Sequence, residues 1–225
     1  MFREAKPILC YVTNRRSLSR PDPAAAHGDA ADALLKVIRH VAAARVDWIQ
    51  IREKDLPARE LLMLARRGIA AASEDGVRVV INDRLDVAVA AQAAGVHLGE
   101  ESLPVEAVTR WRQSTGKSRA DFFMGVSCHS LAAAVEAARA GADYVFFGPV
   151  FATPSKEAYG PPQGLERLGE VTRSVSVPVL AIGGVTLENA AECLRVGAAG
   201  VAAIRMFQQA ADLAAAVERL RAHLR

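Results

Sequence analysis

In the segment Gln50-Ile51-Arg52-Glu53-Lys54, two cations and an amide stand at alternate positions. Side chains of an extended chain alternate with a period of two, so Gln50, Arg52 and Lys54 share one face if the backbone stays extended. A guanidinium, an ammonium and an amide converging on one spot suit a phosphate or pyrophosphate, because all three donate hydrogen bonds and two carry positive charge. The plainer alternative is a solvated strand end with surface ion pairs. Gln50 and Arg52 lie within an otherwise apolar run, which favours the anion site, since burying polar groups is costly.

Other segments offer complementary chemistry. Asn82-Asp83-Arg84 sets a carboxylate beside an amide. Mg²⁺ is held by one or two carboxylates plus substrate phosphates, so Asp83 suits a metal ligand; it equally suits the cap of a helix starting near Leu85. Gly99-Glu100-Glu101-Ser102 brings further carboxylates. In Ser127-Cys128-His129-Ser130 the histidine can transfer protons near neutral pH, or can orient a helix start. His97 reads as structural, inside a strand. Thr153-Pro154-Ser155-Lys156 groups two hydroxyls and an ammonium. Gly183-Gly184 lets backbone N–H groups approach an anion ahead of a helix, and Arg205 adds a cation at another strand exit.

These residues recur at the ends of short apolar runs: Ile8–Thr13, Trp48–Arg52, Arg78–Ile81, Val96–Leu98, Phe122–Ser127, Tyr144–Gly148, Val177–Ile182 and Gly200–Ile204. Near-continuous hydrophobicity marks parallel strands covered on both faces. Alanine- and leucine-rich helical stretches lie between them. Leu213, Val217, Leu220 and Leu224 fall on one face of the last helix, and Thr186 reads as the N-cap of the seventh. The helix-to-strand junctions repeat, as in Ala94-Gly95-Val96, Gly141-Ala142-Asp143 and Gly197-Ala198-Ala199. The repetition favours a single closed (β/α)₈ TIM barrel over residues 1–225, ahead of an open doubly wound sheet. In such barrels the chemistry sits at the C-terminal mouth, where the polar residues gather. Two long loops interrupt the rhythm, Arg15–Gly28 and Phe151–Gly164; Ala152–Gly164 reads as a lid.

Composition narrows the function classes. The chain has 225 residues, 51% hydrophobic and 24% charged, enough for a sizeable core. A scattered net charge of +3 and 5% aromatics argue against nucleic acid as a partner. No apolar run is long enough to span a bilayer, and the first residues lack a signal-peptide core. Cys10, Cys128 and Cys193 form no metal-binding or disulfide pattern. The expected setting is soluble and cytoplasmic, with small-molecule partners and no membrane; homo-oligomerisation is left open.

Taken in order, Gln50-Ile51-Arg52-Glu53-Lys54, Asn82-Asp83-Arg84, Gly95-Val96-His97-Leu98-Gly99, Gly125-Val126-Ser127-Cys128-His129, Gly148-Pro149-Val150-Phe151-Ala152-Thr153-Pro154-Ser155-Lys156 and Ile182-Gly183-Gly184-Val185 resemble the thiamine phosphate synthase and thiazole tautomerase superfamily. The resemblance implies a (β/α)₈ fold. It also implies joining of a hydroxymethylpyrimidine diphosphate to a thiazole phosphate, with loss of Mg²⁺-bound pyrophosphate. Gln50, Arg52, Lys54, Asn82 and Lys156 would hold the pyrophosphate and Asp83 the Mg²⁺. Ser127 would contact the pyrimidine side. Thr153, Ser155, Gly183 and Gly184 would contact the thiazole phosphate side. Lys156, Ser127 and His129 are the expected catalytic groups. Two positions depart from the family pattern: Ser102 stands where a second metal aspartate is usual, with Glu101 adjacent, and Arg205 stands where a serine is usual. The metal-independent tautomerase branch, with His129 as base, and a non-catalytic precursor-binding barrel are the alternatives.

Overall fold

A computed structural model describes residues 6–18, 27–99, 101–153 and 161–223. Eight strands run in chain order: β1 Ile8–Val12, β2 Trp48–Ile51, β3 Arg78–Asn82, β4 Gly95–Leu98, β5 Phe123–Cys128, β6 Tyr144–Phe147, β7 Val179–Ile182 and β8 Gly200–Ala203. Each pairs in parallel with the next, and β8 closes on β1 with Ile8 opposite Gly200. Each lies within two residues of its sequence-based bounds. The helices are α1 His27–Ala43, α2 Ala58–Ala72, α3 Leu85–Ala90, α4 Val105–Ser114, α5 Leu131–Ala140, α6 Gly164–Ser174, α7 Ala190–Arg195, α8 Arg205–Gln208 and α9 Leu213–His223.

Closure explains the apolar strands. On β1, Leu9 and Tyr11 belong to the outer core beneath the helices, whereas Cys10 and Val12 belong to the barrel interior. The outer core takes Leu34, Ile38 and Val41 from α1 and Leu61, Leu64 and Ala65 from α2. Burying one such Leu or Ile fully stabilises by about 1.5–3 kcal/mol. The interior holds a ring cluster, with Trp48 and Tyr144 centroids 4.8 Å apart and Trp48 and Phe123 5.1 Å apart. Gly125 makes room for it: a Cβ there would fall 2.0 Å from the Tyr144 ring.

Two expectations change. Thr186 does not cap α7, which starts at Ala190. The Asn189 side chain folds back instead, accepting from Thr186 N at 2.8 Å and donating to the Gly184 carbonyl at 3.0 Å. That closes a turn over residues 187–189, so no helix begins directly after the glycine pair. The first long loop opens as a short 3₁₀ turn, Arg15–Ser17, with Arg15 buried. In the expected lid Ala152–Gly164, residues 154–160 lie outside the described residues, as does Leu224. Among the described residues, no helix is long and apolar enough to cross a membrane.

Candidate active site

The exits of β2, β3 and β4 are joined by one hydrogen-bonded chain. Gln50, 2% exposed, donates from Nε2 to Asn82 Oδ1 at 2.8 Å, and Asn82 Nδ2 donates to Asp83 Oδ2 at 2.7 Å. A carboxylate only accepts, so Asp83 fixes the sense of both amides. The Asn82 nitrogen must face Asp83, its oxygen must face Gln50, and the Gln50 nitrogen must face Asn82. Gln50 Oε1 is left buried without a partner among the described residues. A buried acceptor in that state is costly, so it stands ready for a further donor.

Asp83 is heavily engaged. Its Oδ1 accepts from the Ser102 hydroxyl and from Gly99 N at 3.3 Å, and Lys54 Nζ lies 3.6 Å from Oδ2. Burial alone would raise its carboxyl; the Ser102 hydroxyl, the Lys54 ammonium and the Gly99 N–H overcome that and hold it below the usual carboxylate range. Its φ of +62° is a left-handed conformation, sparsely populated outside glycine. Asp83 therefore does not act as the side-chain cap of α3. In that first turn Asp86 pairs with Arg84 instead. Ser102 occupies the place from which a second side chain reaches Asp83; Glu101, beside it, is exposed.

Arg52 is half-buried, and its guanidinium has no hydrogen-bond or ion-pair partner among the described residues. Its backbone is tied down by a network that the sequence analysis missed. Arg52 N donates to Thr13 Oγ1 at 2.9 Å, and Thr13 Oγ1 donates to Glu53 Oε1 at 2.7 Å. Glu53, buried, also accepts from Arg15 N and Arg15 Nη1, each at 3.0 Å. Arg15 grips Asp55 through two contacts of 2.6 Å, and this pairing holds the Asp55 carboxyl down at about 2. The available signal is alternation: Glu53 and Asp55 alternate with the cations Arg52 and Lys54, so an extended backbone sets them on the other face, where they meet Thr13 and Arg15.

Ser127, half-exposed at the end of β5, meets His97 Nε2 at 2.8 Å, and His97 Nδ1 meets the Tyr144 hydroxyl at 3.0 Å. Burial pushes the His97 imidazole down to about 3; the Asp83 charge opposes this and the Arg52 charge adds to it. His97 is thus neutral and lies within strand β4 as expected, but it is bonded to a site residue. His129 Nδ1 donates to the Gly148 carbonyl, tying the β5 exit to that of β6. It does not cap α5; Ser130 does, accepting from Ala133 N at 3.1 Å.

Across the mouth, Arg205 is exposed and donates from Nη2 to the buried Thr153 Oγ1 at 3.2 Å. Gly183 and Gly184 have φ of +91° and +67°. A Cβ on Gly184 would come 2.6 Å from the Ala152 carbonyl, so the pair lets the segment after β6 lie directly on the segment after β7. The helix expected directly behind the pair starts only at Ala190, so its N-terminus does not follow the glycines. Ser155 and Lys156 lie outside the described residues.

A (β/α)₈ barrel with polar and cationic side chains at the C-terminal ends of its strands has them at the end where enzymes of this fold work. The chain belongs to the thiamine monophosphate synthase family, whose profile matches residues 24–207. It is 41% identical over 221 residues to the thiamine-phosphate synthase of Roseiflexus sp. (strain RS-1), covering 98% of this chain and 86% of that one. It is 48% identical over 171 residues to a putative thiamine-phosphate synthase of Geobacter sulfurreducens, covering 76% and 78%. The solved thiamine phosphate pyrophosphorylase of Pyrococcus furiosus superposes with a TM-score of 0.79 at 32% identity, covering 97% of this chain and 96% of that one.

Proposed function

We propose that the chain works as a thiamine-phosphate synthase, joining hydroxymethylpyrimidine diphosphate to a thiazole phosphate with release of pyrophosphate. The observation that carries this reading is the mouth between β2 and β5, where an ionised Asp83 stands in a pre-bonded chain and the Arg52 guanidinium has no partner among the described residues. Departure of a diphosphate leaves a cationic pyrimidine methylene and a highly charged leaving group. Fixed donors and cations lower that barrier most when they need no rearrangement. Arg52, Lys54, Asn82 and Lys156 hold the pyrophosphate. The C–O electron pair leaves with pyrophosphate, and the thiazole nitrogen then supplies its lone pair to the cationic methylene carbon, forming the C–N bond.

Gln50 is reassigned within this scheme. Its orphan is an acceptor, Oε1, which suits the exocyclic amine of the pyrimidine better than an anionic phosphate oxygen. Ser127 faces the same ring. Thr153, Ser155, Gly183, Gly184 and Arg205 serve the thiazole phosphate, and His129 braces the rim between the two. The donor set fits Mg²⁺: Asp83 is an oxygen ligand kept ionised, and Mg²⁺ is commonly held by one or two carboxylates plus substrate oxygens. Asp83 would hold the ion, with Glu101, next to Ser102, as the further carboxylate. When bound, Mg²⁺ neutralises charge on the departing pyrophosphate.

The test is purified protein with both substrates and Mg²⁺, following thiamine phosphate and pyrophosphate together. Equimolar appearance of both is expected. Interconversion of the thiazole tautomers without condensation would instead establish the tautomerase reading, and ligand binding without turnover a sensing role.

A further inference from the structure

We propose that Tyr144 and His97 are positioning residues that fix the Ser127 hydroxyl as a hydrogen-bond donor at the barrel mouth. This rests on the reading above that Ser127 faces the pyrimidine. The proposal follows from counting donors and acceptors along three residues on three different strands.

Tyr144 and His97 are each 1% exposed, and the His97 ring lies 4.3 Å from that of Phe146. A cation is disfavoured there, so the imidazole carries one proton, donating from one nitrogen and accepting at the other. The Tyr144 hydroxyl has one hydrogen-bond partner among the described residues, His97 Nδ1. Phenol protons are seldom buried without an acceptor, so the Tyr144 proton points at Nδ1. Nδ1 therefore accepts, and the ring proton sits on Nε2. From there it is given to Ser127 Oγ, 2.8 Å away. With its oxygen already receiving a proton from His97, Ser127 turns its own O–H toward the mouth, where the residue is half-exposed. The opposite tautomer would aim the serine proton inward and show the ligand a lone pair.

The same reasoning fixed Gln50 Oε1 as an acceptor. The floor of the mouth thus offers one acceptor, from β2, and one donor, from β5. A heteroaromatic edge bearing an amine and an unprotonated ring nitrogen matches both. An analogue with C–H in place of the nitrogen facing Ser127 loses the donor bond.

Two measurements test the ordering. In ¹⁵N NMR of the ligand-free protein, His97 should show a pyridine-like Nδ1 and a pyrrole-like Nε2. A protonated Nδ1 with an unprotonated Nε2 would overturn the proposal whatever the enzyme's activity. In steady-state kinetics, Tyr144→Phe releases the tautomer and should raise KM for the pyrimidine diphosphate about tenfold, with KM for the thiazole phosphate unchanged. His97→Leu should do the same. His97→Gln should restore the low KM, because the glutamine oxygen can accept from Tyr144 while its nitrogen donates to Ser127. A merely structural role would lower stability and leave the ratio of the two KM values unmoved; that result in Tyr144→Phe, which keeps the ring in its space beside Gly125, overturns the proposal. Wild-type protein that makes no product from these substrates would sink the functional reading alone, and the NMR shifts would still decide the proton order.

Discussion

Between β2 and β5 the mouth is lined by side chains already bonded to one another, and the sense of each bond is set from one end: by Asp83 in one chain and by Tyr144 in the other. Between β6 and β8 it is shaped mainly by backbone. There Gly183 and Gly184 allow two segments to touch, and the Arg205 guanidinium reaches across to Thr153. The difference suits the two halves of the proposed reaction. Breaking the bond to pyrophosphate develops charge and rewards groups fixed beforehand. Holding a second substrate by a phosphate that does not react requires affinity only, which backbone and one exposed arginine can supply.

The sharpest way to break this comparison is to remove one arginine from each half. Arg52→Ala should lower kcat on the order of 10²–10³-fold, as loss of a preorganised charge-stabilising donor does elsewhere. Arg205→Ala, at an exposed position, should raise KM for the thiazole phosphate on the order of tenfold with little change in kcat. Steady-state kinetics on both substrates decides. Equal losses in kcat from the two variants would mean that the halves do not divide the work.

The pre-bonded half also carries a pH liability. The unfolded chain takes up a proton on His97 as pH falls through about 6.5, whereas the fold keeps the buried ring neutral down to about 3. Protons then favour the unfolded chain, so stability falls over that window. From pH 7 to pH 4 the loss from this one group is about 3 kcal/mol. Urea denaturation of wild type and His97→Gln at both pH values measures it: the variant should lose that much less. An identical pH dependence would show that the ring is not held neutral by its surroundings.

How far the sequence discloses this arrangement depends on how local each feature is. The strands are legible because a parallel strand buried on both faces must be apolar throughout, and the repeated junctions at Gly95, Gly141 and Gly197 announce closure. Arg52, Lys54, Asn82 and Asp83 are legible because they break apolar runs at strand exits. The partners of His97 are not, for they come from positions 47 and 30 residues away and meet it only when the barrel closes. Nor is the Thr13–Glu53–Arg15 brace, which joins residues 38–40 positions apart. Gly183-Gly184 misled for a physical reason. Glycine before a helix suggests a helix N-terminus behind the pair, but the Asn189 turn delays the helix, so what the glycines offer there is close backbone approach.

The smallest expected effect lies on the seam of the better-organised half, at Ser102. Its hydroxyl donates a hydrogen bond to Asp83, which helps keep that carboxylate ionised. Ser102→Asp replaces a donor with an acceptor of like charge. In the absence of Mg²⁺ the two carboxylates repel, so the Asp83 carboxyl should rise and the fold should lose about 1 kcal/mol. Mg²⁺ should reverse the sign, because a second oxygen anion adds to its ligands. The midpoint for Mg²⁺ should fall several-fold, a change of about 1 kcal/mol. Calorimetric titration of Mg²⁺ with pyrophosphate present reads this without turnover, and thermal unfolding with and without the ion reads the repulsion. Asp83→Ala in the same titration should abolish the metal heat. If Ser102→Asp leaves the midpoint unmoved and Asp83→Ala still binds the ion and turns over, the carboxylate at the end of β3 is not the metal ligand. The chain around Asp83 would then serve only to order Asn82 and Gln50 for the pyrimidine.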